Sequence, residues 1–546
     1  MGQPEDQTSL LQEPRSKRTA SMALATFLMI IGLTLSKGTG FLRETFIGIQ
    51  FGFGNIFADS FYLGFQIPDL FFQLLVGGSI QAAITPTLAR SLERGDQKRG
   101  WRSVSIFITL MTVIMLVTTL LGMLLSEWIF PLIYAEKVLK TPEIVALAAQ
   151  SSKALFPQVF FMMLAALCIG ILNAYKKFSS TAFGPTLYNI CVVLSIVFLG
   201  GRSNQAVINT AIGITISAAL YFFLQFYMAR RELKRFRFSL DIKDEGFREL
   251  LRLAVPTMIS ASIVQLNTII ITSFTAGFDD GIIQSLNNAK TIWQLPYGIF
   301  AVAVGSVMLP SLSAHFAAKD NRAARVLLGK SLRNALFLTI PSAGLLFALR
   351  LDVVLALFRW NAKFVLSAGE TTALILMGYC IAIVLQTVVF IYNQAFYAIG
   401  KTKIPLITGV LSMVLIAGIC YILKSFGLLT STSQVGALGL SLAYSFTSAV
   451  SALVLSVLYM KNKQLAPKSI WAFLIRSGIC FAVLILVVYT LNVLPVDPQS
   501  KAGQLAWLAF RGISGFGGYL LAARTMQMKE LSSFTDRIRR RRNPSA

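Results

Sequence analysis

The chain has 546 residues, 55% of them hydrophobic and only 13% charged, with a mean hydropathy of +0.68. Soluble proteins carry roughly 25% charged residues, so an ordinary soluble globule is excluded. Lys and Arg number 49 against 24 Asp and Glu, a net charge of +25, which suits either a nucleic-acid binder or a membrane protein with basic loops.

The order of the residues chooses between them. Nucleic-acid binders gather basic residues into a patch on a soluble fold. Here apolar runs of about 20 residues, the length that crosses a bilayer core about 30 Å thick, separate the basic clusters. The reading is an all-α polytopic membrane protein with no nucleic-acid partner. Met1–Ser21 is polar, with Arg15, Lys17 and Arg18, and leads into an unbroken series of apolar runs, so no cleaved signal peptide is expected. Spans are predicted at 22–48, 57–88, 104–130, 154–175, 182–200, 206–228, 250–276, 284–310, 332–349, 371–398, 404–424, 436–459, 469–493 and 504–523, about fourteen in all.

Cytoplasmic loops carry the excess of Lys and Arg. Alternating connections from the N-terminus hold 35 of the 49 basic residues, the opposite connections hold 9, and 5 lie inside or at the edge of spans. Both termini are therefore expected in the cytoplasm. The run Arg537–Arg542 reads as part of the same topology signal, with attraction to anionic headgroups as a secondary role.

An internal repeat follows. Asn173 to Pro185 aligns with Asn393 to Pro405 at an offset of 220, and Pro68 to Val76-Gly77 aligns with Pro296 to Val304-Gly305. Each copy then closes on Pro-[Thr/Ser]-Leu, at Pro86 and Pro310, the second four residues shorter. Two six-helix lobes in the same orientation are implied, residues 1–235 and 236–465, followed by spans 13 and 14 within 466–525 and a basic tail, 526–546.

A charge at the bilayer centre costs at least about 2.5–3.5 kcal/mol and usually faces a protein-lined or wet cavity. Lys37, Arg43 and Glu44 lie in Ser36-Lys-Gly-Thr-Gly-Phe-Leu-Arg-Glu44 of the first span, where Gly38 and Gly40 can loosen the helix. Lys37 and Arg43, six residues apart, are offset by about 120° on an ideal helix. Asp59 and Asp69 flank the outer half of the second span, and Lys290 lies in the eighth. Lys37 reads as a cavity cation in preference to a snorkelling one. Arg476 reads as snorkelling, Arg511 stays open, and Glu44 and Asp59 read as neutralising Arg43, which leaves a gating role open to them. Cations turned toward a cavity suit an anionic substrate, a diphosphate above all.

Signals for an enzyme are poor. The sole histidine, His315, falls on a cytoplasmic connection, no HExxH, GxxxxGK[ST] or GxSxG is present, and Asp279-Asp280 reads as a turn. Five scattered cysteines in apolar runs suggest neither disulfides nor a metal site. No catalytic residue, metal or cofactor is expected.

The run Ser36 to Glu44, then Phe51-Gly52, Ala58 to Phe71 and Pro86-Thr-Leu-Ala89 resembles the start of the MurJ/MviN lipid II flippases, within the multidrug/oligosaccharidyl-lipid/polysaccharide exporter superfamily. Gln265-Leu-Asn267, Gln294-Leu-Pro296, Leu309-Pro-Ser-Leu-Ser313 and Phe396-Tyr-Ala to Pro405 extend the resemblance over nearly the whole chain. The resemblance implies two lobes with alternating access in a bacterial cytoplasmic membrane, moving the undecaprenyl-diphosphate-linked disaccharide-pentapeptide from the inner to the outer leaflet for cell-wall synthesis, with other cell-wall synthesis proteins as possible partners. It implies that Lys37 and Arg43 stand for family arginines and Glu44 and Asp59 for family aspartates around a cationic cavity, and that spans 13 and 14 form a groove for the lipid tail. The sequence departs at Phe72, Gly77 and Thr291, where the family has an arginine, an acid and an arginine; Lys290, about 100° round the helix from Thr291, is a plausible replacement. Ile271 stands where some members have a sodium-coordinating aspartate, which speaks against sodium coupling and leaves membrane potential acting on cavity charges as the remaining candidate drive. Competing readings are a flippase for another polyprenyl-diphosphate oligosaccharide, an ion-coupled multidrug antiporter, and a polytopic glycosyl- or acyltransferase.

Overall fold

The computed structural model describes residues 35–76, 79–175, 177, 183–360, 364–431, 433–461, 470–494, 496 and 500–531. Lipid offers no hydrogen-bond partner to a backbone, so each crossing segment must satisfy its own amides as a helix. Among the described residues there is accordingly no strand. Helix α1 covers 35–51. Next come α2 (Ile56–Leu75), α3 (Ser79–Glu93), α4 (Gln97–Ile133), α5 (Ala135–Lys140), α6 (Pro142–Ala174), α7 (Gly184–Leu199) and α8 (Asn204–Leu233). The later half contributes α9 (Glu245–Ser273), then α10 (Ile282–Pro296), a π-helical turn (Tyr297–Val302) and α11 (Ala303–Ala317), which run on as one rod. The series ends with α12 (Asn321–Ala348), α13 (Arg350–Phe358), α14 (Leu366–Ala398), α15 (Lys403–Ser425), α16 (Gln434–Met460), α17 (Trp471–Asn492) and α18 (Lys501–Thr525).

Ten of these segments are long and apolar enough to cross a membrane. With α1, the α2–α3 pair, α7 and α9 they account for the fourteen expected crossings; residues 22–34 of the first lie outside the described part. Capping fixes several ends: the side chains of Ser203, Asp320 and Ser500 accept from the amides of Ala206, Ala323 and Gly503.

The helices also exceed the predicted spans. α4 and α6 continue past the apolar windows at 104–130 and 154–175, because hydropathy stops where the polar residues begin while the hydrogen-bond ladder does not. At 37 residues α4 is ~55 Å long. Two short helices, α5 and α13, were not expected at all; each fills a connection between crossings. The two copies of the sequence repeat differ at one point: after Pro68 α2 runs on as α-helix to Leu75, whereas the matching interval after Pro296 is the π turn. Proline removes an amide donor there, and the wider turn absorbs the mismatch.

Two compact units are present. The first comprises 1–50, 67–129 and 147–262; the second comprises 51–66, 130–146 and 263–546. The first has a core of Trp101, Phe107, Met111, Met163 and Ile171 closed by Phe247 and Leu250 at the start of α9. In the second, α17 and α18 join α12 through Cys480, Leu484, Val488, Tyr519 and Phe337, the last two rings 5.4 Å apart. All five cysteines are free thiols, four of them buried.

Candidate functional site

In the first unit, α1 runs as unbroken α-helix through Gly38 and Gly40, so the loosening expected of the glycines does not break it. The Asn189 side-chain amide of α7 donates to the Ser36 carbonyl at 3.0 Å, close to Gly40, and fixes the start of the described helix. Lys37 is exposed. Arg43 is half-buried and donates through Nη2 and Nε to Glu44 Oε1 at 2.7 and 3.2 Å. Glu44 itself is buried, and the two side chains form an ion pair. Arg43 and Asp69 both lie within electrostatic range of Tyr188, whose hydroxyl accepts from Gln158 at 3.0 Å.

Asp59 lies in the first turn of α2. It belongs to the second unit, is 0% exposed, and receives the Gly281 amide on Oδ2 at 2.9 Å and the Gln284 amide on Oδ1 at 2.8 Å. These are orphan donors at the start of α10, where the helix dipole favours a carboxylate. Gln284 reciprocates: its side chain donates to the Gly52 carbonyl at 3.0 Å and accepts from the Gly54 amide at 2.9 Å. The two backbones meet at glycines. Gly54 and Gly281 have φ of 75° and 92°, and a Cβ on Gly281 would land on the Gly54 Cα. Asn55 caps α2 by accepting from Phe57 and Ala58, which holds Asp59 in place one turn later.

Below this lock runs a buried polar chain. Gln66 donates to Thr272 at 2.9 Å and accepts from Tyr134 at 2.8 Å, while Gln265 donates to the Gln66 carbonyl at 3.1 Å. Lys290 is half-buried and donates to Thr268 at 3.0 Å across α9 and α10. The proposed cations thus fall in two places, Lys37 and Arg43 in the first unit and Lys290 in the second. Arg476 is exposed along α17, as snorkelling requires. Arg511, left open by the sequence, is buried and tied to Asp352 at 2.9 Å and Asn492 at 2.7 Å, a brace between α18, α13 and the end of α17.

Sequence reasoning singled out Asp59 but missed Gln284, Gly54 and Gly281. The available signal was the Phe51-Gly-Phe-Gly-Asn55 run opposite Asp279-Asp-Gly281, two glycine turns each next to a helix start. Among the described residues no cluster of three potential metal ligands occurs.

The family model described as "Lipid II flippase MurJ" matches residues 50–499. The chain belongs to this family. A "Lipid II flippase MurJ" of Burkholderia cenocepacia is 28% identical over 383 residues, 69% of this chain and 74% of that protein. A "Probable lipid II flippase MurJ" of Buchnera aphidicola is 27% identical over 456 residues, 83% and 87% of the two chains. The solved structure of a lipid II flippase MurJ in an inward closed conformation shares the fold with a TM-score of 0.73 at 23% identity, covering 92% of this chain and 98% of that one. An inward-facing multidrug resistance MATE family transporter shares the fold at a TM-score of 0.64 and 15% identity, covering 80% of this chain and 98% of that one. Of the departures from the MurJ pattern, Ile271 is buried, Phe72 packs against the apolar core of the first unit, and Gly77 lies outside the described residues.

Proposed function

We propose that the chain carries lipid II, an undecaprenyl-diphosphate-linked peptidoglycan precursor, from the inner to the outer leaflet of the bacterial cytoplasmic membrane by alternating access. The observation that carries this reading is the family match over 50–499 on a fold whose spans hold Lys37, Arg43 and Lys290, cations suited to a diphosphate. Lys37, Arg43 and Lys290 bind the diphosphate; Glu44 holds the Arg43 guanidinium between substrates. Asp59 gates, closing the charge-poor end, which the basic-residue bias assigns to the outside. Residues 1–235 and 236–465 act as the two lobes, 466–525 takes the lipid tail, and 526–546 lies in the cytoplasm with the N-terminus. Cell-wall synthesis proteins are the expected neighbours. No step requires covalent chemistry, so the protein acts as a transporter and not as an enzyme.

The test is growth of bacteria depleted of their own flippase, with a leaflet assay on reconstituted protein. Wild-type chain sustains growth and exposes lipid II on the outer side. Arg43→Ala and Lys37→Ala insert normally and lose both. Normal transport by both variants overturns the site assignment. Failure of the wild type, with efflux of an organic cation instead, overturns the substrate and favours the multidrug antiporter; movement of a different diphosphate oligosaccharide favours the neighbouring flippase.

A further inference from the structure

Lys137 has no part in the site above and was counted from sequence among the nine basic residues of the charge-poor side. It sits on α5, six residues long, in the connection between the third and fourth crossings. Exposed connections are where a lysine is expected to reach water, yet Lys137 is 1% exposed and ranks with the largest fully buried side chains. Its charge interacts with Asp59 and Asp280, the second of which directly precedes Gly281, an amide donor to Asp59. Three ties hold α5 in this position. Tyr134, which precedes the helix, donates to Gln66; Glu136 pairs with Lys424 at the end of α15; and the Lys137 and Thr141 amides close the turn at 2.9 and 2.7 Å.

The geometry points to Lys137 as a positioning residue of the Asp59 lock: its ammonium is the buried countercharge that holds the Asp59 carboxylate at the start of α10 and joins the outer helix α5 to the closed end. The inference rests on the gating role given to Asp59 above. Two backbone amides and a helix dipole stabilise that carboxylate, but Asp59 is fully buried, and an unbalanced buried charge is costly. Burial pushes the Lys137 ammonium below the usual lysine range, with Asp59 and Asp280 pulling it back up. At Lys137 desolvation is the larger of the two effects. Removing one partner is worse, because the other stays buried alone. A neutral side chain at 137 leaves Asp59 without its cation and loosens the lock; Arg keeps the charge.

The test uses full-length protein in vesicles with one added cysteine, Ser60→Cys, whose parent serine is 0% exposed beside Asp59. A membrane-impermeant maleimide is applied from outside, with the unmodified parent as background. Labelling is expected to be slow in this parent, at least tenfold faster with Lys137→Met, and near the parent rate with Lys137→Arg. Asp59→Asn also speeds labelling, and adding Lys137→Met to it gives no further increase, since the charge to be balanced is gone. That lack of additivity is not expected of a lysine that merely packs. If Lys137→Met labels at the parent rate, or if its effect is undiminished in the Asp59→Asn background, the proposal is overturned. If Asp59→Asn itself leaves labelling unchanged, the gating role of Asp59 falls first. Unchanged elution of each variant from size exclusion establishes that a faster rate reports the lock and not unfolding.

Discussion

At the residue scale, the lock depends on groups with very different tolerance. Asp59 uses both carboxylate oxygens on backbone amides, and charged hydrogen bonds of this kind contribute about 1.5–3 kcal/mol. Asp59→Asn keeps one acceptor, loses the charge and shifts the closed population by about tenfold or more; transport in the leaflet assay falls while expression is retained. Gly281→Ala is more severe. Its φ of 92° belongs to the left-handed region, which costs an L-residue about 1–2 kcal/mol, and the new methyl meets the Gly54 backbone. We expect no rescue of flippase-depleted cells by Gly281→Ala, whereas Gly418→Ala on α15, with open space around it, grows normally. A rescue by both would remove the close backbone approach from the mechanism.

At the element scale, polar side chains fasten one connection and one helix. Between α8 and α9 the connection is pinned to the start of α4: Arg102 pairs with Asp241 at 2.8 Å and Asp244 at 3.5 Å, and Ser103 donates to Asp244 at 2.8 Å. Asp244 also caps α9 through the Phe247 amide, so Asp244→Ala costs about 0.5–2 kcal/mol and speeds proteolysis of the connection. The Arg102 hydrogen bond, helped by the Lys243 amide, holds the Asp241 carboxyl below the usual carboxylate range. A depressed folded value means that the stabilisation is fully present above the ordinary Asp value of about 3.9 and is lost as pH falls through the lowered one. Hydrogen exchange of residues 236–244 therefore stays slow down to that region, then accelerates, and Asp241→Asn removes the acid step. At the other pair, Arg511 bridges Asp352 and Asn492 with separate nitrogens. Lysine has no fork of donors, so Arg511→Lys lowers the melting temperature in detergent nearly as far as Arg511→Met.

For the whole molecule, fourteen crossings and their order were legible because lipid makes hydrophobicity and helix formation the same requirement. The lock was legible only in part. Asp59 stood out as an acid near an apolar run, but Gln284 and Gly281 are 222 residues or more away in sequence and bind it mainly through backbone amides, which no side-chain pattern records. Lys137 was invisible for the opposite reason: an outer lysine looks like topology, and only packing shows it buried. Lys37, Arg43 and Lys290 stand out through the cost of intramembrane charge, yet the pairing of Arg43 with its own neighbour Glu44 is a matter of rotamers. The buried Ile271 offers no carboxylate for a sodium ion. Flipping in vesicles is expected to persist when sodium is replaced by potassium and to fall when the membrane potential, worth about 2.3 kcal/mol per charge per 100 mV, is collapsed. Sodium dependence at constant potential would locate coupling elsewhere in the chain.

The meeting of Gly54 with Gly281 bears on how quickly the closed end can form. Two glycines bring no rotamers to the contact, and amides already held in helix and turn geometry lose little further freedom on meeting Asp59. The hydrogen bonds made there order the Asp59 and Gln284 side chains, against roughly 1.5–2 kcal/mol for each long flexible residue that a conventional side-chain interface would immobilise. Under the gating role proposed for Asp59, closure of this kind has a small entropic barrier, and turnover gains from the few side chains left to freeze.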